Sequence, residues 1–382
     1  MLKVMTIVGT RPELIRLSRV IARLDETVDH VLVHTGQNYD YTLNEIFFEE
    51  LGIRRPDHLL GVDTSSLGRV LGETLIKTEE VLIAEKPDAV LVLGDTNSCI
   101  AALMAKRMRI PVYHMEAGNR CFDDRVPEET NRRMVDHVAD FNLVYTEHAR
   151  RNLLSEGLHP SRIALTGSPM REVLEAQRLK ASISTVLEKE RLEPQGYFLV
   201  SLHREETVED KRLLEEVLDG LEALAHRHGL PAIVSTHPRT RKRLANLGAI
   251  RYDGLRFLPP FGFHAYIKLQ MNAKLVLSDS GTISEESAIL GFPAVTLRES
   301  IERPEALETG NILLTGTGSQ EIVERAEFIL NWPAERQPPE AYDVTNTSYR
   351  VANFILSTCG IRSGHTQTRS VRPLLAPTGQ CR

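Results

Sequence analysis

Three carboxylates, a histidine and two glycine-bearing turns are the residues of this chain best suited to chemistry. Asp95 stands in Leu93-Gly94-Asp95-Thr96-Asn97, just after an apolar run, and Glu116 in His114-Met115-Glu116-Ala117-Gly118-Asn119-Arg120, just after another. Glu128 follows Pro127, with Arg132 one turn on and so on the same helix face. Taken singly these residues are ordinary: Asp95 reads equally as a helix cap, and Glu128–Arg132 as a surface ion pair of little worth. Three acids at the ends of adjacent elements, however, repel one another in a closed cleft. That raises at least one pKa and suits acid/base work. His203, in Leu202-His203-Arg204-Glu205-Glu206, and His237, in Thr236-His237-Pro238-Arg239, close two further strands. His203 suits an acid or a donor to a leaving phosphate, and each histidine also reads as a plain strand-end cap. Neither has the ligand spacing of a zinc site.

The two turns suit anions. In Val8-Gly9-Thr10-Arg11-Pro12-Glu13 an apolar strand enters a helix through a glycine, Pro12 sits where a first helical turn tolerates it, and Arg11 adds a fixed charge. In Ser278-Asp279-Ser280-Gly281-Thr282, Ser280 and Gly281 are placed to donate hydrogen bonds to a diphosphate, or merely to cap a helix. Glu285-Glu286 follow one turn later. One suits the two hydroxyls of a ribose, the other the helix dipole. Phe261, Phe263 and Tyr266 precede this turn, with core packing and base stacking as their alternatives.

The elements that must position these groups alternate. Lys3–Val8, Val28–His34, Ala89–Leu93, Val112–His114, Asn142–Val144 and Ile163–Leu165 read as strands, with helical patterns at Leu67–Lys86 and Cys99–Arg107. Leu192-Glu193-Pro194-Gln195-Gly196 reads as a linker. Alternation then resumes with strands at Tyr197–Leu202, Ala232–Ser235, Leu255–Leu258, Lys274–Leu277 and Ala294–Leu297. The fold class is therefore α/β: two doubly wound, Rossmann-like domains facing across a cleft, with ligands at the strands' C-terminal ends. The expected divisions are residues 1–170, a connecting helix and linker 171–196, a second domain 197–342, a helix crossing back at 343–362, and a disordered polar tail from 363 to 382.

Size and composition agree with this. A chain of 382 residues, 42% hydrophobic and 26% charged, is large enough for two cores. A net charge of −6 argues against nucleic acid as a partner, and no apolar run approaches the roughly 20 residues that span a bilayer. The N-terminus lacks a signal-peptide pattern, and the four cysteines form no CxxC pair, so a reduced cytoplasmic protein is expected.

In order along the chain, Gly9-Thr10-Arg11-Pro12-Glu13, Gly94-Asp95-Thr96, Glu116-Ala117-Gly118, Pro127-Glu128-Glu129 with Asn131-Arg132, His203-Arg204-Glu205, Asp279-Ser280-Gly281 with Glu285-Glu286, and Glu302-Arg303-Pro304-Glu305 resemble the non-hydrolysing UDP-N-acetylglucosamine 2-epimerase superfamily. The resemblance runs from Lys3 to about Leu356. It implies a GT-B-like fold, a homodimer, a UDP-2-acetamido sugar as substrate, and inversion at carbon 2 with neither metal nor nicotinamide. It makes Asp95, Glu116, Glu128 and His203 the catalytic set. Arg11, Arg16, Arg132, Phe263, Ser280, Gly281, Glu286 and Arg303 become the substrate ligands.

The chain also departs from its relatives' pattern. Arg16 stands where members acting on UDP-N-acetylglucosamine carry Lys, Gln37-Asn38 where they carry Gln-His, and Gly167-Ser168 where they carry Gly-Asn. Arg for Lys replaces a point charge with a planar fork, so sugar recognition should differ, and loss of the His weakens the case for activation by a second UDP-sugar. Blocks such as Gln37-Asn38-Tyr39-Asp40-Tyr41 and Asn119-Arg120-Cys121-Phe122-Asp123 resemble the branch that converts UDP-2-acetamido-2,6-dideoxy-L-talose to UDP-N-acetyl-L-fucosamine for surface polysaccharides. The competing readings are an epimerase for UDP-N-acetylglucosamine or a UDP-diacetamido-uronic acid, a glycosyltransferase of the same fold, and a nucleotide-sugar sensor without activity.

Overall fold

A computed structural model describes residues 1–36, 48–124, 126–236, 240–241, 243–244, 252–331 and 337–360. Gln37–Tyr41, His237–Arg239 and the tail from 363 therefore lie outside the described residues, as do the side chains of Glu205 and Glu206.

Parallel strands buried on both faces read as continuous apolar runs, and the central strands here are of that kind. The first sheet comprises β1 (Lys3–Val8), β2 (Asp29–His34), β3 (His58–Leu59), β4 (Ala89–Leu93), β5 (Val112–Met115), β6 (Phe141–Val144) and β7 (Ile163–Leu165), in the order β3-β2-β1-β4-β5-β6-β7. The second comprises β8 (Phe198–Leu202), β9 (Ala232–Thr236), β10 (Leu255–Leu258), β11 (Leu275–Ser278), β12 (Ala294–Thr296) and β13 (Leu313–Leu314), in the order β10-β9-β8-β11-β12-β13. All described pairings are parallel. The edge strands β3 and β13, two residues each, are too short to leave a sequence pattern.

In each sheet the strand order reverses about one pair, β1/β4 and β8/β11, and such switch points open a crevice at the strands' carboxyl ends. Arg11 follows β1, Asp95 follows β4, His203 follows β8 and Ser280 follows β11. The topology alone thus collects four chemistry-bearing segments at two crevices.

The helices are held by apolar stripes at helical spacing. In Arg11–Thr27, Leu14, Leu17, Ile21 and Leu24 are buried against β1 and β2, and the same cluster receives Val351, Ala352 and Ile355 from the last helix, Thr347–Thr358. That helix therefore packs on the first domain although it follows the second. The chain leaves the first core after Met170–Ser182, enters the second with Val186 and Leu187, and comes back between Tyr342 and Thr347. At the return, the Ser168 N–H donates to the Ala341 carbonyl at 2.9 Å, and the Thr347 hydroxyl donates to the Ser168 carbonyl at 3.0 Å.

The loop after β5 is built tightly. Asp136, fully buried, accepts from Arg120 Nη1 at 2.7 Å and the Gly118 N–H at 3.2 Å, and lies 2.9 Å from His114 Nδ1. Gly118 has φ +80°, and a Cβ there would stand 2.3 Å from the Ala149 carbonyl oxygen. Gly118→Ala is therefore expected to cost about 2 kcal/mol or more of unfolding free energy, since the residue favours another backbone region and the obstruction is itself backbone. Urea denaturation measures this; an unchanged midpoint would show that the loop has room to move.

Candidate active site

The first turn differs from its sequence reading. Glu13 is buried, and its Oε2 accepts the Gly9 N–H at 3.1 Å and the Thr10 hydroxyl at 2.7 Å, while Ser98 donates to its other oxygen. The Gly9 donor expected to serve an external anion is already occupied by the chain's own carboxylate, which burial pushes above its ordinary pKa. Arg11 remains half-buried at the helix start, close enough to oppose protonation of His203 across the cleft.

Asp95 projects from the end of β4 and is gripped by Arg132, which donates to its Oδ2 from Nε at 3.0 Å and from Nη2. Asn131 Nδ2 donates to the Asp95 carbonyl at 2.9 Å. Arg132 takes its second carboxylate from Glu129 at 2.6 Å, not from Glu128. Glu129 is buried and Glu128 exposed at the N-terminus of the helix Pro127–Val138, so the expected Glu128–Arg132 pair is corrected to Glu129–Arg132. Both spacings suit a helix; the side turned toward β4 decides between them.

Glu116 occupies the centre. Its backbone is left-handed, φ +62°, which a non-glycine residue adopts only where its surroundings dictate it. One carboxylate oxygen accepts from Arg16 Nη1 at 2.8 Å and the other from Arg303 Nη2. Arg16 reaches on with Nη2 to Glu285 Oε2 at 2.7 Å, and Arg303 Nε lies 3.5 Å from the same oxygen. Ser168 donates to the other oxygen of Glu285. Two residues of the first domain, Arg16 and Glu116, and two of the second, Glu285 and Arg303, thus form one buried ring of alternating charge. Burial, with Asp95 and Glu285, raises the pKa of Glu116 against the pull of the two arginines.

The second domain prepares the opposite wall. Asp279, fully buried at the end of β11, accepts the backbone N–H groups of His203 and Arg204, each at 2.8 Å, and pairs with His203 Nδ1 at 2.8 Å. The Asp279 carboxylate raises the His203 pKa above 6.5, outweighing burial. His203 nevertheless exposes nearly half of its side chain, at 46%. Ser280 and Gly281 lie at the N-terminus of the helix Ile283–Leu290, with the Ser280 and Thr282 hydroxyls 2.9 Å apart. At Gly281 a Cβ would stand 2.5 Å from both Arg303 Nη1 and Glu302 Oε1, so a side chain there would push on that ion pair. Glu302 pairs with Arg298 at 2.7 Å and Arg303 at 2.9 Å. Burial opposes its ionisation, yet Arg298, Arg303, Arg204 and Arg132 hold it well below the usual carboxylate range.

Glu286 accepts from Gln270 Nε2 at 2.5 Å, and burial raises its pKa. Phe263 is 6% exposed and packs in the first domain's apolar cluster. The aromatic neighbour of Glu286 is Tyr266, half-buried on the same helix. Asp279, Arg298 and Glu302 had no assigned role in the sequence reading. Arg298 and Glu302 pair across a non-helical loop, which leaves no periodic signal, and the Asp279–His203 pair needs β8 and β11 to be neighbours. Among the described residues, one trio, Glu222, His226 and Asp253, has metal-compatible spacing, and it lies at the surface near β10.

The profile of the family described as UDP-N-acetylglucosamine 2-epimerase matches residues 22–356. The chain belongs to this family. It is an isomerase, and its facing parallel sheets form a GT-B-like fold. A UDP-N-acetylglucosamine 2-epimerase from Rickettsia bellii is similar in structure at TM-score 0.88 and 46% identity, covering 94% of this chain and 97% of that one. The Methanocaldococcus jannaschii UDP-GlcNAc 2-epimerase, solved in complex with UDP-GlcNAc and UDP, matches at TM-score 0.88 and 34% identity, over 93% and 100% of the chains. A UDP-2,3-diacetamido-2,3-dideoxy-D-glucuronate 2-epimerase of Pseudomonas aeruginosa is 34% identical over 361 residues, 93% of this chain and 99% of that protein. No helix among the described residues is long and apolar enough to cross a membrane.

Two outcomes are expected. Arg303→Ala should lose about 3 kcal/mol in urea denaturation, because Glu116 and Glu302 each lose a buried partner. A loss below about 1 kcal/mol would mean that water replaces the guanidinium readily. Pyrophosphate binding should weaken as pH rises through the elevated His203 pKa, because the imidazolium is present below that value and lost above it. Asp279→Asn should move the transition to lower pH; a profile indifferent to Asp279 would exclude His203 as the titrating group.

Proposed function

We propose that this epimerase inverts carbon 2 of a UDP-2-acetamido sugar by eliminating and re-adding UDP, and that its substrate is UDP-2-acetamido-2,6-dideoxy-L-talose, giving UDP-N-acetyl-L-fucosamine. The observation that carries the reaction is the convergence, across one cleft, of first-domain carboxylates with second-domain cations at a helix N-terminus. The C2 hydrogen of such a sugar is not acidic, because no carbonyl flanks it. Breaking the C1–O bond gives C1 oxocarbenium character, and that acidifies C2–H.

In this reading one carboxylate of the Asp95, Glu116 and Glu128 set takes the C2 proton as the C1–O electrons leave with UDP, forming a glycal. A proton delivered to the other face of C2, with UDP re-adding at C1, completes the inversion; no electrons are gained or lost overall. Arg11, Arg132, His203, Ser280 and the Gly281 N–H neutralise the departing diphosphate. His203 is suited to this because the Asp279 pair favours its cation. Glu286 holds the ribose, and Tyr266 is better placed than Phe263 to face the base.

The sugar assignment rests on the branch resemblance of the blocks Gln37–Tyr41, Asn119–Asp123 and His237–Arg241, and Arg16 and Ser168 are the departures that bear on sugar recognition. Both touch Glu285, and Arg16 spans Glu285 and Glu116 at once, which a lysine's single ammonium does less well. The named activities of the relatives already include more than one sugar.

Proton NMR in heavy water tests the proposal, with the talose substrate, UDP-N-acetylglucosamine and UDP-2,3-diacetamido-2,3-dideoxy-D-glucuronate in parallel tubes. Deuterium should enter C2 of the first sugar as UDP-N-acetyl-L-fucosamine appears. Exchange only in another tube overturns the substrate and keeps the chemistry, while silence in all three overturns both. Asp95→Asn and Glu128→Gln are each expected to lower kcat at least about 100-fold with UDP still bound. Loss of UDP binding in calorimetry would move that residue from chemistry to ligand grip.

A further inference from the structure

Tyr145 follows the end of β6 and is 2% exposed. Its ring lies beneath Arg16, whose guanidinium carbon is 6.0 Å from the ring centroid. Among the described residues no acceptor takes its hydroxyl proton. Arg16 can give the hydroxyl oxygen a hydrogen bond but cannot accept its proton, because a guanidinium has only donors. Burial first, and then the Glu116 carboxylate, hold the phenol well above its ordinary pKa, so it keeps its proton. The protein thus maintains a buried, protonated and unused donor beside the central carboxylate, where buried polar groups are otherwise paired.

Its position says which end of the ligand it meets. The diphosphate and ribose ligands, His203, Ser280, Gly281 and Glu286, belong to the second domain. Tyr145 belongs to the first, against Arg16 and near Glu116. A carboxylate in that place must approach C2 of the sugar, and the other substituent on C2 is the acetamido group, whose carbonyl oxygen is a strong neutral acceptor. Charged acceptors nearby are already claimed by arginines.

We infer that the Tyr145 hydroxyl donates a hydrogen bond to the acetamido carbonyl of the bound sugar and so selects 2-acetamido over 2-hydroxy sugars. The inference rests on the epimerase reading only for the orientation of the sugar. Two chemical consequences follow. The bond is made to the part of the substrate that swings when C2 inverts, so Tyr145 helps to set which epimer is held more tightly. It is also independent of UDP, so its loss should leave nucleotide affinity intact.

The test is Tyr145→Phe, which removes one oxygen and keeps the ring under Arg16. Titration calorimetry of wild type and variant with UDP, UDP-glucose and UDP-N-acetylglucosamine, repeated with the talose substrate, gives the readout. Affinity for the acetamido sugars should fall about tenfold, while UDP and UDP-glucose stay within about twofold. The melting temperature should change little, because the hydroxyl proton has no intramolecular acceptor to lose. Equal weakening of all ligands, or a lowered melting temperature with no change in selectivity, would make Tyr145 a packing residue and overturn the inference; so would unchanged affinities throughout. Absence of turnover by the wild-type protein would count against the proposed function alone, since the binding comparison still decides the role of Tyr145.

Discussion

The structure depends on four buried charges that neither domain could carry alone. Arg16 and Glu116 come from the first domain, Glu285 and Arg303 from the second, and they alternate in sign around a closed ring. A buried ion pair adds little net stability compared with a well-packed apolar pair, whereas a buried charge left alone is strongly destabilising. The ring therefore demands one arrangement more than it stabilises the fold. It requires the two sheets to face each other with their crevices aligned, or else requires water to enter and solvate all four groups.

That demand explains features that look costly in isolation. Glu116 keeps a left-handed backbone because Asp136 ties down the loop on one side and two arginines draw its carboxylate from the other. A side chain at Gly281 would press on Arg303 where it passes to reach Glu116. Glu13 fills the first turn from within, taking the Gly9 N–H and the Thr10 hydroxyl that an external anion would otherwise meet. The second domain, by contrast, settles its histidine locally: Asp279 fixes the His203 backbone and its ring with the same carboxylate.

Much of this was legible in the residues. Apolar runs and Gly turns placed the long strands within a residue or so, and Asp95, Glu116, His203 and Ser280 do stand at strand ends around the two switch points. What escaped was whatever depends on packing between elements. Helical spacing allows Arg132 to meet Glu128 or Glu129, and only the docking of that helix beside β4 selects Glu129. Phe263 and Tyr266 lie on one short helix, and its roll, which no local pattern fixes, sends one ring to the core and leaves the other beside Glu286. The joint use of Glu285 by Arg16, Arg303 and Ser168 joins residues far apart in sequence. The strands β3 and β13 are too short to show a period.

The chain passes between its domains twice, after Ser182 and again between Tyr342 and Thr347, and it is stitched at the return by Ser168 to Ala341 and Thr347. Ser168 also donates to Glu285. One small side chain thus ties the returning backbone to the charged ring, so the path of the chain between its domains and the charges buried between them share a single junction.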